Sequence, residues 1–361
     1  MHLQRTAAFV SAVLALAACQ DAPIMGPSGD GAPDALLDGR RSLARAIAIY
    51  NQNLYVGADL DAVLAALING DPADDLPALQ QAAATLLATD FPSRANAMAD
   101  EIAETHPHVI GLQEVWTLEV DVPGVPVVNQ DFLEILLRAL ADRDLDYVVA
   151  ASVTGAQAHL PGINAIDHDV LLADPTRVAV SAPISHVYSF NIGEIFPGVT
   201  LARGFVAVEG MVEGEPYLFV STHLESDLPG SPLSGLRAAQ ATELVTAIGA
   251  AERVVLMGDL NDVPGSPMYQ AIAGAGFTDV WDRMRPGASE GLTCCHGANL
   301  SNRFADFDKR IDYVFSRGIG SDGGLRGWIR RLGTLPSDKL AGPLYEVWPS
   351  DHAGLAARLR G

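Results

Sequence analysis

The chain has 361 residues, with 44 acidic against 23 basic side chains and a formal net charge of −21. So acidic a balance argues against a protein that grips a polyanion through a broad basic surface, although a bound metal ion can still dominate the field at one local site. Three cysteines, two of them adjacent, exclude a disulfide scaffold, so the core must hold itself together.

In chain order, residues 1–6 are short and polar with one firm positive charge, Arg5. Residues 7–18 are small or apolar apart from Ser11, a run too short to cross a bilayer as a mature helix. The run ends in Leu16-Ala17-Ala18-Cys19, which resembles the cleavage site of bacterial lipoproteins. The resemblance implies a signal peptide over residues 1–18, lipidation of Cys19, and a protein held at the bacterial cell envelope outside the cytoplasm. The alternative is an ordinary signal peptide and a secreted protein. No later stretch reaches eighteen consecutive apolar residues, so no second span is expected. Residues 19–44, irregular and rich in Pro, Gly and Asp, read as a flexible tether.

Residues 45–361 are expected to form the folded domain. The stretch 46–53 reads as a buried strand ending in the polar Asn51-Gln52-Asn53. The following connection is longer than one helix requires. Within residues 56–89, Leu60, Val63, Leu64 and Leu67, then Leu79, Ala83, Leu86 and Leu87, predict two short helices broken at Gly70-Asp71-Pro72. This helical insertion should sit beside whatever the first strand's polar end carries. A helix over 93–105 places Met98 and Ile102 on one face, and a strand follows over 108–114. Asp131 caps a helix whose apolar face is Phe132, Ile135, Leu136, Ala139 and Leu140. Strands are expected at 147–151, 169–173 and 178–181, then a hairpin of 204–212 and 217–222 turning through Glu213-Gly214-Glu215. A helix over 234–251 and strands at 254–257, 311–315 and 353–359 complete the set. Mixed strands, helices and hairpins exclude an all-β fold and a plain βαβ array, and no fixed-period repeat suggests a solenoid.

Six polar clusters each end or follow an apolar strand. They are Asn53, Gln113-Glu114, Thr222-His223-Leu224, residues 258–262 (Gly-Asp-Leu-Asn-Asp), Arg310-Ile311-Asp312-Tyr313, and Ser350-Asp351-His352. One such cluster is an ordinary solvated strand end. Together they supply oxygen ligands for a hard cation, a carboxylate to activate water, and imidazoles for proton transfer, which is what phosphoester cleavage requires.

The order and wording of these clusters resemble the endonuclease/exonuclease/phosphatase superfamily, which includes deoxyribonuclease I, abasic-site endonucleases, neutral sphingomyelinases and inositol polyphosphate 5-phosphatases. The resemblance covers about residues 45 to 360 and implies an α+β fold, a four-layer α/β/β/α sandwich with the site in a cleft at one edge of the paired sheets. It implies Glu114 as the principal Mg²⁺ ligand, with Asn53 and Asp351 in or near the same shell. Asp259 and Asn261 orient and activate water, His352 contacts the scissile phosphate and is held by Asp312, and His223 is a second imidazole on the phosphate side. A carboxylate of the preceding strand supports His223 in the family; Asp167 and Asp169 both qualify, and spacing from Pro175 favours Asp167. Arg203 falls where some nucleases place a phosphate-contacting arginine, with a structural salt bridge as its alternative role.

The expected activity is therefore a metal-dependent hydrolase of phosphoester bonds, with Mg²⁺ as cofactor and Mn²⁺ or Ca²⁺ as substitutes. Nucleic acid, phospholipid and small phosphate esters remain open as substrates. An extracellular nuclease, a sphingomyelinase-like phospholipase C and a non-catalytic binding protein on the same fold are the alternatives. The lipid anchor would bring the chain to a membrane, and no obligate protein partner is evident. Cys294 and Cys295 suit either a strained vicinal disulfide or two packed thiols, since neighbouring Cα atoms lie about 3.8 Å apart and disulfides prefer about 4.4–6.8 Å.

Overall fold

The computed structural model describes residues 46–228, 231–287, 290–320 and 324–361. The signal segment, Cys19 and the tether lie outside the described residues. The first strand, β1 (Ile47–Asn53), is followed by helices α1 (Leu60–Asn69), α2 (Pro72–Thr89) and α3 (Phe91–Thr105). Next come β2 (Val109–Gln113), β3 (Thr117–Val120), β4 (Val128–Asp131), α4 (Phe132–Ala141), β5 (Val148–Leu160), β6 (Ile163–Ala173), β7 (Ala179–Val187), β8 (Gly193–Phe196) and β9 (Val199–Leu201). The hairpin β10 (Gly204–Val212) and β11 (Glu215–His223) leads into α5 (Ser234–Ile248), β12 (Val254–Asp259), α6 (Pro267–Gly274), β13 (Thr278–Asp279) and α7 (Val280–Met284). The chain closes with β14 (Asp312–Arg317), β15 (Arg326–Leu332), a small ribbon of β16 (Leu340–Ala341) and β17 (Glu346–Val347), and β18 (Gly354–Arg360).

Two sheets result. One runs β15-β18-β1-β2-β6-β5-β9-β8, with β3 and β4 paired onto the far half of β6; the other runs β13-β14-β12-β11-β10-β7. Strand alternation sorts the apolar side chains into three cores. Odd residues of β1 (Ile47, Ile49) meet Val206, Phe219, Val255 and Met257 between the sheets, while Tyr50 turns outward to pack with Met98 and Ile102 of α3. Val254 and Leu256 turn the other way, onto Leu244 of α5 and Ile272 of α6. The fold is thus α+β, a sandwich of two sheets with helices on both outer faces.

The two helices after β1 break where the sequence indicates. Asp59 caps α1 by accepting from the Ala62 amide, Gly70 ends it in the left-handed conformation, and Asp71 caps α2, with proline at its start. Several elements depart from the expectation: β3, β4, β8, β9, β13, β16, β17, α6 and α7 are not among those expected, and two longer elements differ as well. The short strands expected at 147–151 and 169–173 are the bases of the long arm β5–β6. The 169–173 base is buried, while Val148 and Val149 of the other are exposed, and the outer residues of the arm are mostly half-exposed and polar or small. The edge strand β15 was not anticipated: of its seven residues only Ile329 is buried, because edge strands are defended by charge and carry little apolar signal.

Candidate active site

Register lines up one half of the site. His223 at the end of β11 lies beside Asp259 at the end of β12, and Asp259 lies opposite Asp312 at the start of β14. In the other sheet, Asn53 at the end of β1 pairs with Gln113, which brings Glu114 alongside. The loop ahead of β18 adds Asp351 and His352. Both sheets therefore present polar strand ends to a common edge, and hydrogen bonds cross between them from Asn53 to Asp259, from Gln113 to Ser221 and between His352 and Asp312. Asn53 Nδ2 donates to Glu114 Oε1 at 3.0 Å and to Asp259 Oδ2 at 3.1 Å. His352 Nδ1 lies 2.8 Å from Asp312 Oδ2.

Local backbone aims these groups. Glu114 has φ +55° and Asn261 φ +50°. Asparagine tolerates this left-handed region, but for glutamate it costs of order 1–3 kcal/mol, the kind of strain that collects at functional sites. The Glu114 carboxylate is then fixed by the Val56 amide at 3.0 Å. At Gly258 a side chain would run into the Thr222 carbonyl, so glycine lets β11 and β12 approach where His223 and Asp259 emerge. The Asn261 amide N–H donates to Asp259 Oδ1 at 3.0 Å, and the Asn261 side chain reaches His223 Nε2 at 3.0 Å.

Burial and charge set opposite states on the two imidazoles. Burial pulls the His352 ring down, but the carboxylates of Asp312, Asp351 and Asp259 overcome it and hold the ring well above its ordinary value. His223 is pushed well below its ordinary value by burial, the Arg203 guanidinium and His352. Arg203 Nη1 lies 2.9 Å from His223 Nδ1 and the Asn261 side-chain amide nitrogen 3.0 Å from Nε2, so N–H donors face both ring nitrogens, with Asp259 Oδ2 3.5 Å from Nε2. Burial raises Asp259 to about 7, with Asp312 adding to it, and raises Asp351 to about 7, with Glu114 adding to it.

Asp167 requires a correction. It does not touch His223; it pairs with Arg203 Nη1 at 3.1 Å, and Asp169 is the carboxylate that comes to 3.9 Å of His223 Nδ1. Both aspartates point to the same side of β6, and the guanidinium between them decides which reaches the imidazole. Arg203 is itself held by Asp167 and by Glu225 at 3.3 Å, with its side chain 13% exposed. Cys294 and Cys295 are bonded to each other, and Cys295 Sγ lies 4.0 Å from His352 Nε2. The histidines without a motif have structural surroundings: His296 stacks between Phe307 and Trp348, His108 accepts from the Ala48 amide, and His186 pairs with Glu243.

One residue behind the site escaped the sequence reading. Arg94 is fully buried, and its guanidinium donates to the carbonyls of Thr89, Leu54, Pro349 and Tyr55 at 2.7–3.1 Å. Burial lowers it to about 10, so it stays charged at neutral pH. It ties the chain just after Asn53 to the loop just before Ser350-Asp351-His352. The signal was present: Arg94, Met98 and Ile102 share one helical face, and a charge on that face demands buried partners. Arg94→Met is expected to destabilise the protein by roughly 3–5 kcal/mol, the cost of stranding buried polar partners. A urea midpoint unchanged from wild type would contradict this.

With the geometry in hand, comparison with known proteins is decisive at the family level. A model described as the Endonuclease/Exonuclease/phosphatase family matches residues 68–352. The chain belongs to this family. It is therefore an enzyme of phosphoester hydrolysis, and the family's members depend on divalent metal. None of the curated proteins matches the chain. Among solved structures, the fold is similar to an endonuclease/exonuclease/phosphatase from Beutenbergia cavernae (20% identity, 88% of this chain and 72% of that one, TM-score 0.54). It is also similar to a mannosyl-6-phosphatase from Bacteroides thetaiotaomicron (15% identity, 87% and 100%, TM-score 0.55). A third is TDP2 of D. rerio with a single-strand DNA product (17% identity, 88% and 99%, TM-score 0.50). At these identities the likeness concerns the fold.

The endonuclease/exonuclease/phosphatase metal fits the residues present. Glu114 and Asp351 offer only oxygen donors, suited to a hard divalent cation. Asp259, Asp312 and His352 bring a ligand atom each within 4.8 Å of one another. The Asn53 oxygen, by contrast, accepts from the Tyr55 amide, and its side-chain nitrogen faces Glu114. Burial raises Asp351 and Asp259, the neighbouring carboxylates Glu114 and Asp312 add a local negative excess to it, and Asp312 Oδ1 is buried without a hydrogen-bond partner. A cation would relieve that excess.

Proposed function

We infer that the chain is a Mg²⁺-dependent phosphoesterase that cleaves a phosphodiester or phosphomonoester by in-line attack of water, and that lipidated Cys19 holds it outside the cytoplasm. The observation that carries the reading is the closure of the row His223–Asp259–Asp312 onto Asn53, Glu114 and His352 across the sheet seam. A divalent ion held by Glu114 and Asp351, with Asn53 orienting the Glu114 carboxylate, would polarise the phosphoryl oxygen. Asp259, positioned by the Asn261 N–H and the Asn53 amide, accepts the proton of the attacking water as its oxygen bonds to phosphorus. His352, kept as imidazolium by Asp312, donates toward the phosphoryl oxygen on which charge builds while the ester bond breaks. His223, kept neutral by burial and by Arg203, lines the same cleft.

A small ester or a lipid fits this cleft better than a nucleic-acid strand. Three of the cations near the site are already committed: Arg203, Arg237 and Arg310 are ion-paired with side chains 13%, 4% and 5% exposed. A nucleic-acid track needs free cations and stacking aromatics, and aromatics make up 6% of the chain.

The test is turnover by the purified protein of bis-p-nitrophenyl phosphate, p-nitrophenyl phosphate, plasmid DNA, RNA, sphingomyelin and inositol phosphates. Activity is expected with Mg²⁺, abolished by chelator and restored by excess Mg²⁺. Absence of metal-dependent turnover on all of them would overturn the reading.

A further inference from the structure

We propose that a groove beside the catalytic cleft receives an alkyl chain of the substrate, so that the preferred substrate is an amphiphilic phosphoester. The proposal rests on the phosphoesterase reading above and adds the substrate class. The groove, about 250 Å³, lies between α1 and α2 on one side and the arm of β3, β5 and β6 on the other. Its walls are Leu64, Leu67, Leu79, Leu86, Trp116 and Leu160, among other apolar side chains. An apolar cavity of about 150 Å³ already takes a benzene ring, so this one has room for several methylenes.

Two observations connect the groove to the chemistry. Val56 lines it, and the Val56 amide holds Glu114 at 3.0 Å. Arg203 and Glu225 also line it, and Arg203 holds His223 at 2.9 Å. The groove is thus mainly apolar and adjoins the catalytic residues through Val56 and Arg203, each of which lines it and bonds to one of them. That polarity matches a phosphoester bearing an apolar tail.

Helix α1 supports the same reading. Its sequence Leu-Asp-Ala-Val-Leu-Ala-Ala-Leu-Ile-Asn is apolar almost all round, yet Ala66 is its one buried residue. Leu60 is 38% and Ile68 59% exposed, while Val63, Leu64 and Leu67 are half-buried against the groove. A helix this apolar ordinarily buries its face in protein. Here much of that face lines a space that a chain would fill.

The test compares p-nitrophenyl methyl phosphate with p-nitrophenyl octyl phosphate below its micelle concentration, with Mg²⁺, on the full protein. Each methylene seated in the groove is expected to raise kcat/KM about fourfold until the groove is full. Ala82→Phe, which fills the groove, and Leu64→Asp, which charges its wall, should each remove that gain and leave methyl-ester turnover unchanged. Both sites are half-buried, so at least one variant should fold. A third arm presents p-nitrophenyl dodecyl phosphate in phosphatidylcholine vesicles; faster turnover than the free octyl ester identifies a bilayer as the source, and slower turnover a dissolved amphiphile. Equal kcat/KM for the methyl and octyl esters overturns the proposal and leaves the groove to a protein partner or a second copy. Absence of metal-dependent turnover of both the methyl and the octyl ester by the unaltered protein would instead count against the phosphoesterase reading.

Discussion

Asp259→Asn lowers kcat by at least about 10³-fold, with the fold intact by circular dichroism and KM little changed. The side chain keeps its shape, and one oxygen still accepts the Asn261 N–H. What disappears is the acceptor for the water proton, and no other carboxylate replaces it. Asp312, opposite Asp259 in register, is engaged with His352 Nδ1 at 2.8 Å. Asp169 stands 3.9 Å from the far side of His223. Near-full turnover by a folded Asp259→Asn protein would remove Asp259 from the mechanism.

His352→Gln is expected to cost about 10²- to 10⁴-fold in kcat, the range for a lost acid–base group. A pH profile separates its role from simple packing. The carboxylates around His352 raise its folded pKa, so the working imidazolium survives above the ordinary histidine value of about 6.5. Activity should therefore persist through neutral pH and fall as pH climbs through that raised value. The same linkage gives a stability contribution that is full below the unfolded pKa and lost over the same rise. Asp312→Asn removes the partner at 2.8 Å, so the alkaline limb of kcat/KM should move to lower pH. If that limb stays fixed, His352 is not the group being titrated.

Much of the site was legible because its members stand at strand ends, where a polar residue after an apolar run is easily seen. Asn53, Glu114, His223, Asp259, Asn261, Asp312, Asp351 and His352 converge in the structure from segments spread over 300 residues of chain. Their roles remain proposals that the variants above address. Choosing between Asp167 and Asp169 was beyond the sequence, since both lie on the same face of β6 and Arg203, from a different strand, makes the choice. Glu225 was missed for the same reason, its partner being Arg203 across the cleft edge. The sandwich came from the family resemblance, the apolar strands by themselves excluding only an all-β fold and a plain βαβ array. β15 and the outer arm of β5–β6 stayed hidden because exposed strands carry polar residues that mimic loops.

The seam between the sheets has a further consequence. The groups proposed to hold the ion, Glu114 and Asp351, sit at the edge of one sheet and Asp259, proposed to activate water, at the edge of the other. On that reading the thickness of the core between them acts as a ruler for the reaction. Phe219 and Met257, both fully buried there, set that spacing without facing the cleft. Catalytic precision in this enzyme is thus partly stored in oily side chains along the inner faces of the sheets, and selection for activity must act on their volumes as well as on the polar residues they keep in step.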